Sequence, residues 1–209
     1  MLAFDERPAS PAVAGKPLPL FILRSLFWAC AADPTDAGRR DAAILALLYG
    51  AGLDAGEVVA LEIDDYDGLA DTLSIGGAPG APRRAYLAPG VRPALEAWLA
   101  VRHDQPGPLF CPLTPAGEPC PRRLRAPDVR AILQARADQA AIGRLHPRDL
   151  QATFVADLLT AGISLHTVRA LTAAAPEPAD QGDLLSEQML RAAVRALRVP
   201  YRPPVGEAM

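Results

Sequence analysis

The sequence predicts an α+β protein: a mainly helical domain with a small three-stranded antiparallel sheet. Two observations support this fold class. Apolar residues recur at helical spacing through most of the chain, whereas "ALEIDDYDGLADTLSIGG" alternates in the manner of strands. The strand-like stretch occurs once, between helical segments. This order excludes the alternating strands and helices of a doubly wound sheet.

The helices are predicted from apolar periodicity and from the residues that start and end them. The first covers 20–32. The second covers 37–52, with Asp36 as its capping residue and Gly50 and Gly52 at its end. The later helices are predicted over 54–60, 89–103, 126–142, 147–162, 164–175 and 184–199.

The sheet is predicted from two turns that separate three short strands. The first turn is at Asp67 and Gly68, and the second lies in the Gly- and Pro-rich stretch before a strand that ends near Leu87. A further short strand is predicted for "LFCPL" (109–113) in the connection between helices.

The division of the chain follows from its Pro-rich ends. Residues 1–18 are rich in Pro and Ala without periodicity, which favours a disordered or loosely attached arm. Residues 19–199 are predicted to form the folded domain, and 200–209 a C-terminal tail.

Composition excludes several classes of function. The net charge of −3 does not favour a strong polyanion binder, and Lys16 is the only lysine. The three cysteines lack C-x-x-C spacing and the histidines lack metal-ligand spacing, so we expect no disulfide framework, no metal and no cofactor. No signal peptide and no membrane-spanning apolar run are evident, so we expect a cytoplasmic protein without membrane contact.

Two segments carry a resemblance to a known family. "RRDAAILALLYGAGLDAGEVVALEIDDYD" (39–67) and "HPRDLQATFVADLLTAGISLHTVRALTAAA" (146–175) resemble the front and back halves of the catalytic domain of tyrosine recombinases, the phage-integrase and Xer-type family. They occur in the family's order and are separated by the expected hairpin and helices. The resemblance covers about residues 20–198 and implies a tyrosine-recombinase catalytic-domain fold.

The resemblance also implies a set of reactive residues. In the family, two arginines and two His-type groups hold the scissile phosphate, a hairpin lysine protonates the leaving oxygen, and a tyrosine attacks phosphorus. In this chain the matching positions hold Asp54, Ala78, Arg148, Gln151, Ala152, Ala174 and Asp183. We therefore expect no catalytic residue at these positions. The family's DNA-clamping N-terminal domain also has no counterpart in residues 1–18.

Eight arginines are candidates for contacting DNA, because they lie in or beside regions that approach DNA in the family. They are Arg83, Arg84, Arg122, Arg123, Arg125, Arg130, Arg144 and Arg148. Such contacts would give weak, salt-dependent and mostly non-specific binding. The alternative is a solvated, arginine-rich surface without DNA.

The last predicted helix carries an apolar stripe that suits either of two roles. Leu185, Met189, Ala193 and Leu197 recur at every fourth position. The stripe either packs on the protein's own core or forms a homodimer or partner interface.

The leading hypothesis is a catalytically inactive recombinase-like protein, associated with DNA or accessory to DNA recombination and integration. The alternative is a protein–protein interaction module on the same scaffold, without DNA binding. A third interpretation keeps enzyme activity with relocated residues, such as Tyr201 as the nucleophile.

Overall fold

The computed structural model describes residues 15–76, 83–103, 105–172 and 186–204, and it confirms the predicted fold class. The helices of these ranges are α1 (Leu20–Ala31), α2 (Asp36–Gly50), α3 (Ala55–Ala60), α4 (Val91–Arg102), α5 (Ala126–Gln139), α6 (Pro147–Thr160), α7 (Leu165–Thr172) and α8 (Glu187–Val194). In the described ranges, no helix combines the length and the apolar character needed to cross a membrane.

The sheet is a small antiparallel meander that follows a short 3-10 helix. Its strands are β1 (Tyr66–Asp67), β2 (Thr72–Ile75) and β3 (Arg83–Tyr86), in the spatial order β1-β2-β3. Thr72 lies opposite Asp67 on one side and Tyr86 on the other. Residues 77–82, which complete the second turn, lie outside the described residues.

Helix α2 forms the centre of the domain. Residues 42–50 ("AAILALLYG") are all buried, and α2 contacts α1, α3, α4, α5 and α6. A helix that is apolar on every side is stable only when other elements surround it. Gly50 allows close packing at the end of α2, because a Cβ there would lie 2.4 Å from Val91 Cγ2 and 2.5 Å from Val199 Cγ2.

Apart from helix ends that shift by up to three residues, such as the end of α5 at Gln139, three local predictions differ from the structure. Thr35, and not Asp36, is the N-cap of α2, and Asp36 instead pairs with Arg39 at 2.9 Å. Residues 109–113 form no strand, since this connection makes only the isolated bridges Glu62–Pro108 and Leu113–Pro119. Prolines at these positions remove the N–H groups that a continuous ladder needs.

The third difference concerns the last helix, which ends at Val194, five residues before the predicted end. Residues 195–199 leave the helix and run back toward α4, where Val199 N donates to Pro89 O at 2.9 Å. Residues 173–185, which hold the predicted start of this helix, lie outside the described residues, as do 1–14 and 205–209.

The last residues of the predicted arm are attached to the domain. Lys16 N donates to Asp149 Oδ1 at 2.9 Å, and Leu18 N donates to Thr153 Oγ1 at 2.9 Å. Gly15 approaches α6 so closely that a Cβ there would lie 2.2 Å from Arg148 O. Residues 15–18 therefore form a strap across the start of α6.

A buried ion cluster links α5 to α1 and α2. Arg136 is 3% exposed; its Nε donates to Asp41 Oδ2 at 2.8 Å and its Nη2 to Asp33 Oδ2 at 2.7 Å. Its Nη1 donates to Gln139 Oε1 at 2.9 Å. Because the guanidinium is buried, loss of its carboxylate partners would leave an uncompensated charge in the core.

Replacing Asp41 with asparagine tests this cluster. We expect Asp41→Asn to lower the free energy of unfolding by about 3–5 kcal/mol, since one carboxylate of a buried pair is removed. Urea denaturation followed by circular dichroism measures the change. Arg130→Ala, an exposed arginine on the same helix, is the matched control and should change stability by less than about 0.5 kcal/mol. Equal losses for both variants would contradict the role of the cluster.

Gly52 sets the path of the chain from α2 toward α3. Its φ of +65° lies in the left-handed region, and a Cβ there would lie 2.6 Å from Phe154 Cε1 of α6. Only glycine combines this backbone conformation with such a close approach. The loop 51–54 is thereby held against α6.

Gly52→Ala is expected to destabilise the protein by about 1–3 kcal/mol, because it adds backbone strain and a clash with Phe154. The thermal unfolding midpoint measures the effect. Gly143→Ala is the control, since a Cβ at Gly143 meets no atom within 4 Å. Equal unfolding midpoints for the two variants would show that the conformation of the loop does not require glycine at position 52.

Candidate functional site

The candidate site lies where the α2–α3 loop meets the start of α6. In the loop, Asp54, which the sequence analysis matches to the family's first arginine, is the N-cap of α3. Asp54 Oδ1 accepts from Glu57 N at 2.8 Å, and Glu57 Oε2 accepts from Asp54 N at 2.9 Å. This capping box uses both carboxylates and both N–H groups within the protein. It places the carboxylate of Asp54 at the N-terminus of α3.

Glu57 also binds Arg83, which the sequence analysis proposes as a DNA contact. Arg83 Nη2 lies 2.7 Å from Glu57 Oε1, with the two side chains 7% and 13% exposed. Arg83 Nη1 donates to Leu171 O at 3.0 Å, at the end of α7. The guanidinium thus joins β3, α3 and α7, and these contacts hold it within the fold.

The start of α6 holds the next family positions. His146 is the N-cap, and its Nδ1 accepts from Arg148 N at 3.2 Å. Arg148 is exposed, and its guanidinium makes no hydrogen bond or ion pair with the described residues. Gln151 Nε2 donates to Gly52 O at 3.1 Å, and Ala152 is buried. Of the three α6 residues that the sequence analysis matches to the family, Arg148, Gln151 and Ala152, only Arg148 carries a charge.

The strap brings the sole lysine to this helix, which the sequence analysis did not foresee. The backbone of Lys16 is anchored on Asp149, one residue from Arg148. No sequence pattern signals this contact, because it joins residues 133 positions apart through a backbone N–H. The remaining family positions, Ala78, Ala174 and Asp183, lie outside the described residues.

The four tyrosines of the chain are the only residues that could supply a phenolic nucleophile. Tyr49 Oη donates to Asp157 Oδ2 at 2.8 Å, and burial together with that carboxylate raises its pKa. Burial raises the pKa of Tyr66 to about 12, and burial also raises the pKa of Tyr86. Tyr201 lines a groove beside α1. Raised pKa values oppose formation of the phenolate that attacks phosphorus.

The eight candidate arginines divide into those with partners and those without. Arg123 Nη1 donates to Val59 O at 2.6 Å and its Nη2 binds Glu62, so it secures the connection after α3. Arg84 and Arg125 form exposed pairs with Glu187 at 3.4 Å and Asp128 at 3.3 Å. Four others are exposed and make no side-chain hydrogen bond or ion pair with the described residues: Arg122, Arg130, Arg144 and Arg148.

A recess of about 700 Å³ lies beneath the loop that precedes α5. Its lining includes four arginines and one acid: Arg40, Arg122, Arg123, Arg125 and Asp128. Arg125 forms an ion pair with Asp128, and Arg40 binds Asp41 at 2.7 Å. Arg122 is therefore the arginine of this recess whose side chain is most available to an anion.

The predicted apolar stripe does not form one exposed face. Ala193 and Leu197 are buried in the core, and Leu197 lies beyond the end of α8. Met189 is exposed, and Leu185 lies outside the described residues. Ala193 and Leu197 thus pack within the protein's own core.

Neither the cysteines nor the histidines form a metal site in the part of the chain that the structure describes. All three cysteines are free, and burial raises the pKa of Cys30 to about 12. A thiol with such a pKa stays protonated near neutral pH and neither ligates metal nor reacts readily.

Known proteins resemble this chain in sequence. The model of the phage integrase family matches residues 23–173. Tyrosine recombinase XerC of Azotobacter vinelandii is 34% identical over 140 residues, which are 64% of this chain and 44% of that protein. The chain thus spans less than half the length of this relative.

Solved structures show the same architecture at low sequence identity. An integrase from mycobacterium phage Brujita superposes with a TM-score of 0.66 at 19% identity, covering 97% of this chain and 64% of that one. The Tn1549 transposon integrase in complex with circular intermediate DNA gives a TM-score of 0.59 at 16% identity, covering 90% and 66%. The expected resemblance is confirmed: this chain belongs to the phage integrase family of tyrosine recombinases.

Proposed function

We propose that this chain is a DNA-associated tyrosine-recombinase-type domain that does not cut DNA strands. The proposal rests on the contacts made by the residues that match the family's phosphate-holding positions. Asp54 is used as a helix cap, Gln151 binds a backbone carbonyl and Ala152 is buried. Within the described part of the site, Arg148 is the one family position that offers a cation to a phosphate.

Electrostatics support the absence of strand cleavage. Phosphoryl transfer builds negative charge on the phosphate oxygens, and its rate depends on cations and donors placed around them. Here Asp54 places a carboxylate at the end of the α2–α3 loop, and the nearby guanidinium of Arg83 is paired with Glu57 of α3. A phosphate at this loop would meet repulsion.

The distribution of tyrosines supports the same conclusion. The matching nucleophile position is Asp183, and a carboxylate there cannot form the phosphotyrosine link. Tyr49, Tyr66 and Tyr86 are held in the core or against it with raised pKa values. A relocated mechanism would therefore depend on Tyr201.

Association with DNA is supported by membership of the family and by the exposed arginines. The solved Tn1549 integrase, which shares this fold, is in complex with DNA. Arg122, Arg130, Arg144 and Arg148 are exposed on α5, on α6 and on the connections before these helices. Such side chains bind phosphates through charge and without sequence preference.

The alternative is a protein-binding module without DNA affinity. It is favoured by the net charge of −3, which opposes approach to a polyanion, and by the pairing of Arg83, Arg84, Arg123 and Arg125 within the protein. A DNA titration separates the two functions.

A covalent-trapping assay tests the loss of strand cleavage. The wild-type protein is incubated with nicked duplexes of randomised sequence, and adducts are sought on denaturing gels. We expect no covalent protein–DNA product, because Arg148 is the one phosphate-holding cation that remains in the described part of the site and no activated tyrosine is present there. The randomised pool removes dependence on a particular site. An adduct that disappears in Tyr201→Phe would establish a relocated nucleophile and contradict the proposal.

Fluorescence anisotropy with a labelled duplex tests DNA association. At low salt we expect binding at tens of micromolar protein or below, with a logarithmic salt slope of about −0.9 per phosphate contact. The quadruple variant of Arg122, Arg130, Arg144 and Arg148 to glutamate should abolish this binding. Arg195→Glu, an exposed charge reversal at the end of α8, is the control. Equal affinity of the quadruple variant and the control, or no binding by the wild type, would favour the alternative.

A further inference from the structure

A large groove runs along α1, apart from the candidate site. Its volume is about 1570 Å³. One wall is the outer side of α1 and the other is the segment 198–202, with Pro89, Gly90, Gln139 and Ala140 at its margins. None of the residues so far proposed to contact DNA lines it.

The α1 wall is unusually apolar for an exposed surface. Leu20, which lines the groove, is 51% exposed, and Trp28, which also lines it, is 58% exposed. Leu20 and Trp28 lie two turns apart along α1, and both line the groove. Clustered exposed apolar side chains of this kind are typical of binding surfaces.

The opposite wall is held in place by contacts with the core. Val199 is buried, and its N–H donates to Pro89 O at 2.9 Å. Gly90, at φ +97°, makes room for this segment, since a Cβ there would lie 2.6 Å from Val199 O. The Arg202 guanidinium lies 5.3 Å from the centre of the Trp28 ring. The groove is thus preformed.

The charge of the groove is opposite to that of the whole chain. Its charged lining residues are Arg24, Arg198, Arg202 and Asp33. The Asp33 carboxylate lies 2.7 Å from Arg136 and is neutralised by it. Three arginines therefore set a positive potential in a chain whose net charge is −3.

We propose that this groove binds an acidic peptide segment of a partner protein, with large apolar side chains on α1 and carboxylates on the three arginines. A peptide suits the groove better than a nucleic acid. Leu20 and Trp28 offer apolar contacts that a phosphate backbone cannot use, and Arg202 already covers one face of Trp28. Arginine beside exposed aromatic residues is the composition of protein-binding hot spots.

A peptide selection tests the proposal on the full chain. A random dodecapeptide display library is selected on the wild-type protein and depleted on a variant with Arg24, Arg198 and Arg202 changed to glutamate. We expect enriched sequences to combine Asp or Glu with large apolar residues. Synthetic versions should bind the wild type by anisotropy and lose affinity about tenfold or more on the charge-reversed variant.

Two further variants separate charge from shape. Trp28→Ala should weaken the same peptides, whereas Arg169→Glu, an exposed reversal on α7, should not. Enriched peptides remade with lysine in place of their acids should regain binding to the charge-reversed variant. Circular dichroism of every variant controls for folding.

A second copy of the chain or a nucleic acid in the groove would give different experimental results. A concentration-dependent mass in light scattering that is lost in Trp28→Ala would assign the groove to a second copy of the chain. Binding of labelled single-stranded DNA that requires Arg24, Arg198 and Arg202 would assign it to nucleic acid. Either result, or a selection that enriches no groove-dependent acidic peptide, would overturn the proposal. These outcomes do not depend on whether the chain binds duplex DNA through Arg122, Arg130, Arg144 and Arg148.

Discussion

Helix α2 is apolar around its whole circumference over residues 42–50, and the other elements are arranged so that this stretch meets no water. Each buried leucine or isoleucine side chain there contributes about 1.5–3 kcal/mol of transfer free energy, so covering α2 dominates the packing. Close approach requires small residues at its end. Gly50 admits Val91 and Val199, and the loop at Gly52 lies against Phe154. The position of the candidate site follows from this packing.

The fold therefore does not depend on the chemistry of the site. Asp54 begins α3, Gln151 joins α6 to the α2–α3 loop, and Arg83 with Glu57 joins β3 to α3 and α7. Asp54 and Gln151, which the sequence analysis matches to phosphate-holding positions of the family, here bond to other groups of the protein. A chain can exchange catalytic for structural contacts at such positions, because they lie at helix ends and loops whose backbone is set by α2.

Much of the fold could be predicted from the sequence, because helical periodicity and terminal residues act over a few positions. The starts of the helices at residues 20, 126 and 147 and the alternating strands were predicted correctly. The partners of the arginines could not be predicted. Nothing in the sequence distinguishes Arg83, Arg123 and Arg136 from the other arginines. Yet Arg83 binds a carboxylate 26 positions away, Arg123 one 61 positions away, and Arg136 two that are 95 and 103 positions away. The strap and the turn of residues 195–199 were missed for the same reason: they depend on tertiary contacts.

The two tryptophans stand in contrasting surroundings. Trp98 is 0% exposed, donates its indole N–H to Leu109 O at 2.8 Å and stacks near Phe110. Trp28 is largely in water, beneath the Arg202 guanidinium in the groove. The intrinsic fluorescence of this protein is therefore the sum of a core reporter and a surface reporter. Emission from Trp98 follows the integrity of the packing around α4, while emission from Trp28 follows what enters the groove, without an added dye.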